Sequence, residues 1–230
     1  MKYRGLATDY DGTLASHGTV APQTLAALRE LASTGRRLIL VTGRRIDDLI
    51  HVFPEVAIFD RVVAENGPLL YRPQSHETRV LSDPPPVVFV NELRRRGVQP
   101  LTVGQVFVAT EQPNEHVVLE VIRQLGLDLQ VILNKGAVMV LPASVNKATG
   151  LGAALDELSL SAGEVVGIGD AENDEAFLLM CGRGVAVANA LDSLKTIAGH
   201  VTAGENGAGV REVIEELLST DTYSTENTPT

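Results

Sequence analysis

The segment Leu6-Ala7-Thr8-Asp9-Tyr10-Asp11-Gly12-Thr13-Leu14 lies at the start of a 230-residue chain. Its first residues form a short apolar strand that ends at Asp9. Alternate side chains of an extended backbone share a face, so Asp9 and Asp11 can present both carboxylates to one site. Gly12 lets the chain turn there and come close to a ligand. Two such carboxylates can divide labour: one attacks phosphorus or binds a metal ion, and the other exchanges a proton with a leaving oxygen. The same residues also make an ordinary polar turn. They do not make an EF-hand calcium loop, because the Gly and Glu which that loop requires fall on Leu14 and Val20 when counted from Asp9.

Downstream, apolar residues at helical spacing over 24–31 give way at Gly35 to a continuous apolar run over 38–41, as expected of a strand covered on both faces. A helix over 46–52 and a strand over 62–65 follow. The rhythm resumes at Lys147 with a helix to Leu158, a strand over 165–168, a helix over 173–180, a strand over 184–188 and a last helix over 210–218. Strands alternating with helices imply right-handed crossovers and a parallel sheet, hence an α/β core. Between residues 70 and 142 the pattern changes to short strands at 71–72 and 78–81, three prolines at 84–86, a helix over 87–95, a strand over 103–110, a helix over 115–126, and strands over 129–133 and 137–141. The sequence therefore predicts a core of residues 1–69 and 143–218, an inserted α+β cap of residues 70–142, and a polar, disordered tail of residues 219–230.

Lys and Arg total 19 against 29 Asp and Glu, a formal charge of −10, and no basic run exceeds Arg94-Arg95-Arg96. Such a chain does not neutralise a polynucleotide backbone, which argues against a nucleic-acid partner. An acidic protein that acts on an anion must supply positive charge locally, from a metal ion or a few placed Lys and Arg residues. Hydrophobic residues make up 44% of the chain and mean hydropathy is +0.11, enough to bury a core. No run of about 18 apolar residues is present to span a bilayer. The first residues lack the apolar stretch of a secretory signal, so the cytoplasm is the expected location. Cys181 is the only cysteine, which excludes an intrachain disulfide and a multi-thiolate zinc site within one chain. The histidines show no metal-ligand spacing.

Gly169-Asp170-Ala171-Glu172-Asn173-Asp174 follows the strand over 165–168 and opens a helix. Acidic residues in a first turn suit the helix dipole. Asp170 and Asp174, four apart, are nevertheless like-charge neighbours that repel. A divalent cation removes the conflict, and hard oxygen ligands favour magnesium. Val41-Thr42-Gly43-Arg44 also joins a strand to a helix; a hydroxyl, a small residue and exposed N–H groups there can seat a phosphate, or Thr42 can simply cap the helix. Lys147 begins a helix, where a cation opposes the dipole. It is either an ordinary exposed lysine or the partner of an anion. Ligands of open α/β sheets bind beyond the carboxyl ends of the strands. Three of these four motifs fall there, and one pocket can hold all four.

In combination these residues resemble the haloacid dehalogenase superfamily, in particular its Cof-like and sucrose-phosphatase-like group with a C2-type cap. Glu65-Asn66-Gly67 also resembles the segment before the cap in that group, and Val185-Ala186-Val187-Ala188-Asn189-Ala190 resembles its later strand and turn. The resemblance implies a Rossmann-like core and a magnesium-dependent phosphatase of small phosphate esters, such as sugar phosphates or phosphoglycolate-like acids. It further implies Asp9 as nucleophile and Asp11 as general acid, then base. Thr42 and Lys147 would hold the transferring phosphoryl group, with Gly12, Gly43, Arg44 and Asn173 around the substrate. Magnesium would be bound by Asp9, the Asp11 carbonyl and Asp170, with Asp174 in support. Dehalogenases of the superfamily lack the second aspartate, so Asp11 favours phosphate transfer. A phosphomutase or phosphotransferase would share the aspartyl-phosphate and differ in its acceptor, and a non-catalytic binding module would keep the fold alone.

Overall fold

The computed structural model describes residues 2–134 and 136–225. The chain begins with β1 (Gly5–Asp9), α1 (Pro22–Ser33), β2 (Arg37–Val41), α2 (Ile46–Val52), β3 (Arg61–Ala64), β4 (Leu69–Arg72) and β5 (Glu77–Val80). A second unit follows, built from α3 (Val87–Arg95), β6 (Thr102–Val103), β7 (Val108–Glu111), α4 (Glu115–Leu125), β8 (Leu129–Asn134) and β9 (Ala137–Pro142). The chain then returns through α5 (Lys147–Leu158), β10 (Val165–Gly169), α6 (Glu175–Met180), β11 (Arg183–Ala186), α7 (Asp192–Ile197), β12 (His200–Val201) and α8 (Asn206–Thr225).

The main sheet has eight strands in the order β12-β11-β10-β1-β2-β3-β4-β5. From β12 to β3 the strands run parallel, with Gly5 opposite both Val165 and Arg37. Every residue of β1 and β10 is buried, which is why both read as apolar runs rather than alternating ones. From β1 the chain moves outward to β2 and β3, and later to β10 and β11 on the other side. Strand order thus reverses between β1 and β10. A crevice opens at such a reversal beyond the strands' carboxyl ends, and Asp9 and Asp170 stand there. The second unit is an antiparallel sheet in the order β6-β7-β9-β8. It has its own core of Phe89 and Leu93 from α3, Val108 from β7, Val118 and Val121 from α4, and Val138 and Val140 from β9. No helix among the described residues is long and apolar enough to cross a membrane.

Several expectations change. β4 and β5, assigned by sequence to the insert, form an antiparallel hairpin on the edge of the main sheet; the boundary at residue 70 falls inside β4, because Leu69, Leu70 and Tyr71 bury themselves against the core. The single strand expected over 103–110 is two antiparallel strands with a loop between them. Residues 170–174 are not one helical turn: a 3-10 turn (Glu172–Asp174) intervenes before α6. Two short elements, α7 and β12, were not anticipated. The tail expected to be disordered from residue 219 continues α8 to Thr225, while residues 226–230 lie outside the described residues. Buried Val210, Val213, Ile214 and Leu217 anchor that helix, and lengthening a formed helix is far cheaper than starting one.

Candidate active site

Asp9 ends β1 and is 4% exposed. The chain turns at once: Leu14 and Ala15 both donate their N–H to the Tyr10 carbonyl, and Gly12 takes a positive φ of 88°. This tight loop brings the Thr13 hydroxyl to Asp170 Oδ1, 3.0 Å away. Asp170 follows β10. The side chain of Asp174 folds back from the 3-10 turn so that its Oδ2 accepts the N–H groups of Asp170 at 2.8 Å and Ala171 at 3.1 Å. The two aspartates of this motif are therefore joined through the backbone, and the repulsion expected on one helix face does not arise in that form.

Lys147 is the first residue of α5. Asn146 caps that helix by accepting from the Thr149 N–H, and the Thr149 hydroxyl accepts in turn from the Asn146 N–H. From there the lysine runs inward, 2% exposed, and its Nζ donates to Asp9 Oδ1 at 2.7 Å and Asp174 Oδ1 at 2.5 Å. Burial alone would discharge the ammonium, but Asp174 and Asp9 outweigh it and hold Lys147 protonated. Asp9 is pushed well above the ordinary carboxylate value of 3.8, chiefly by burial; Lys147 pulls it down, and Asp174 and Asp170 push it further up. One ammonium thus faces three buried carboxylates.

Oxygens of Asp9, Asp170 and Asp174 lie within 4.8 Å of one another. An all-oxygen donor set with uncompensated negative charge fits a hard divalent cation such as magnesium. Both oxygens of Asp174 already accept hydrogen bonds from Lys147 and the two N–H groups, which suits it to support rather than to direct ligation.

Asp9, Asp11, Arg44, Asn66, Lys147 and Asp170 line a cavity of about 190 Å³, with Gly43, Ala171 and Asn173 beside them and Ala137 and Met139 reaching in from β9. Of the residues singled out by sequence, Gly12, Thr42 and Asp174 are not part of this lining, and Thr42 and Asp174 are fully buried. Thr42 has no exposed surface; its hydroxyl accepts the Arg44 N–H at 3.1 Å, and its carbonyl accepts the Asn66 N–H at 3.0 Å. Arg44, placed by sequence in a phosphate seat, commits its guanidinium to acids: Nε and Nη2 donate to the two oxygens of Asp11 at 2.6 and 2.8 Å, and Nη1 donates to Asp48 at 2.6 Å.

Sequence reasoning gave no role to Asn66. It is 1% exposed, its Oδ1 accepts from Asn173 Nδ2 at 2.9 Å, and its Nδ2 meets Met139 Sδ at 2.8 Å. The signal was present in Glu65-Asn66-Gly67, where an Asn-Gly pair marks a turn with positive φ; the φ of Asn66 is 63°. Asn173 Oδ1 is buried without a hydrogen-bond partner among the described residues, an acceptor left at the edge of the cavity. Asn189 was also unassigned; its Nδ2 donates to the Gly12 carbonyl at 2.7 Å and steadies the loop after Asp9. A neighbouring groove of about 470 Å³ shares Asn66, Lys147 and Asn173 and adds Val131, Ile132 and Leu133 of β8.

The sequence profile of the haloacid dehalogenase-like hydrolases matches residues 6–93 and 116–214. A phosphoglycolate phosphatase of Methanothermobacter thermautotrophicus is 29% identical over 94% of this chain and 99% of its own length. A phosphoglycolate phosphatase of Haloarcula marismortui is 31% identical over 91% of this chain and 95% of its own. Among solved structures, a haloacid dehalogenase-like hydrolase from Bacteroides thetaiotaomicron, 21% identical, shares the fold with a TM-score of 0.79 over 94% of this chain and all of that one.

Proposed function

The chain belongs to the haloacid dehalogenase-like hydrolases and is a phosphatase of phosphate monoesters, and we propose that it works with magnesium by passing the phosphoryl group first to Asp9 and then to water. The observation that carries this reading is the burial of Asp9 beside Lys147 and Asp170, with Asp11 on the same cavity wall.

An Asp9 carboxylate oxygen attacks phosphorus, the bond from phosphorus to the ester oxygen breaks, and Asp11 gives that oxygen a proton so that an alcohol leaves. Water then attacks the phosphorus of the aspartyl-phosphate, Asp11 takes up its proton, and Asp9 is released with inorganic phosphate. Arg44 donates to both oxygens of Asp11 and so suits the carboxylate that takes up the proton of water; for Asp11 to carry the proton of the first step, Arg44 has to release one of those oxygens. Lys147 stays protonated throughout and offers positive charge where the phosphoryl oxygens gather, the main source of acceleration in phosphoryl transfer. Magnesium, held by Asp9, Asp170 and the Asp11 carbonyl, would supply further charge neutralisation at those oxygens. Asp174 fixes Lys147 and the Asp170 loop. Asn173 Oδ1, lacking a partner, is suited to accept a hydrogen bond from the bound ester.

The second unit serves as a cap over the cavity and contacts the leaving group, excluding water during transfer. The small cavity and the phosphoglycolate phosphatases among the relatives support a compact ester, a phosphoglycolate-like acid or a sugar phosphate. Phosphate release from a panel of such esters tests this. Asp9→Asn is expected to abolish turnover and Asp11→Asn to reduce it by about 10² to 10⁴, both with unchanged melting temperature or a higher one. Phosphate release by Asp9→Asn, with deamidation excluded by mass, would sink the nucleophile assignment.

A further inference from the structure

The second unit is joined to the core by two connections, residues 81–86 and 143–146, that lack regular secondary structure. It also touches the core at a third point, residues 104–107 between β6 and β7. Val106 in that loop has no exposed surface, and it packs into the hydrophobic cluster of the main sheet rather than that of its own unit. At the same point the core presents a buried acid. Glu65 is 2% exposed; its Oε1 accepts the Gln105 N–H at 3.1 Å and its Oε2 the Val106 N–H at 2.8 Å. Its φ is 56°, a left-handed conformation unfavourable for a residue with a side chain. The turn into β4 needs Asn66 and Gly67 but does not itself need a buried carboxylate. Burial pushes Glu65 above its ordinary range, and the N–H groups of Val106 and Gln105 pull against that shift.

The contacts continue to the site. Phe107 clusters with Met139 and Leu141 of β9. Met139 Sδ meets Asn66 Nδ2 and, with Ala137, closes the cavity around Asp9.

We propose that Glu65 is a positioning residue whose carboxylate latches the 104–107 loop to the core and thereby holds Met139 and Ala137 as the roof of the phosphoryl cavity. The inference rests on the phosphatase reading for its kinetic consequence, though not for its geometry. With the latch weakened, the second unit leans away for part of the time, and a site that is competent for only a fraction of the time binds with affinity reduced by that fraction. The loss therefore falls on KM. At saturation the bound ester holds the roof in place, and kcat is retained.

Glu65→Gln keeps the shape of the side chain but turns an NH₂ toward one of the two donors. Gln105→Pro deletes one donor at an exposed position and leaves the acid intact. In each variant KM for p-nitrophenyl phosphate with magnesium is expected to rise about tenfold, the scale of one charge-assisted hydrogen bond, with kcat within about twofold. Amide hydrogen exchange at Val106 is expected to quicken in both. A role in folding alone would lower kcat with the active fraction and leave KM where it was. An unchanged KM in the folded variants overturns the proposal, and so does unchanged exchange at Val106. If the wild-type protein releases no phosphate, the phosphatase reading fails instead, and exchange at Val106 alone decides the latch.

Discussion

Lys147 stands between Asp9 and Asp174 with almost no contact with water. Removing one partner of a buried ionic group leaves the others uncompensated, which costs about 3–5 kcal/mol. Lys147→Ala is therefore expected to lower the melting temperature by on the order of 10 °C as well as to end turnover, and thermal melts without substrate check the first effect. Asp170→Asn is the counter-case. It removes negative charge from an over-acidic cluster and should leave the metal-free protein as stable or more so. Asn66 and Gly67 carry a backbone requirement instead: Gly67 has a φ of 131°, and a Cβ there would sit 2.1 Å from the Asn146 carbonyl oxygen. That close approach brings the Asn66 turn against the residue that caps α5.

α5 is fixed at both ends, and the two ends do different work. Its first turn carries Lys147 to the site. Near its last turn Glu157, 12% exposed, accepts from Arg61 of β3 at 2.7 Å, Arg72 of β4 at 2.8 Å and Arg79 of β5 at 3.3 Å. This cluster helps to place the edge hairpin on the main sheet. Arg72 foremost, with Arg61 and Arg79 adding and burial opposing, brings the Glu157 carboxyl down to about 2 from its ordinary 4.5. A carboxylate lowered by folding stabilises the protein above its ordinary value, and that contribution is lost as pH falls through 4.5 toward 2. Glu157→Gln is expected to cost about 1–3 kcal/mol at pH 7. Melting curves from pH 7 to pH 3 should show the gap to wild type closing below about pH 4.5; a gap constant with pH would mean that Glu157 acts by packing.

The whole molecule carries a formal charge of −10 and gathers three carboxylates around one ammonium at the place where an anionic ester must bind. A bound magnesium ion would resolve that imbalance, so its binding is expected to stabilise the fold by mass action. At about a hundredfold excess over the dissociation constant the gain is about 2.7 kcal/mol, or about 5–10 °C in melting temperature for a chain of this size. Inorganic phosphate alone should give no shift and should add to that of magnesium. Asp170→Asn should abolish the magnesium shift; its survival would place the ion elsewhere.

At this scale the division between sequence and structure is also visible. The chain by itself determined the alternation of strands and helices and the α/β class, and marked the ends of β1, β2 and β10 as the candidate places of chemistry, because hydrophobic period, glycines and caps act between near neighbours. It also singled out Asp9, Asp11, Asp170 and Lys147. Only the tertiary structure decided that Lys147 reaches Asp9 across 138 residues, that Arg44 turns to Asp11, that β4 and β5 extend the main sheet, and that Glu65 grips the 104–107 loop. Those partners depend on which strands lie side by side and how deeply each side chain is buried, and such long-range pairing leaves no periodic trace in the residues on either side.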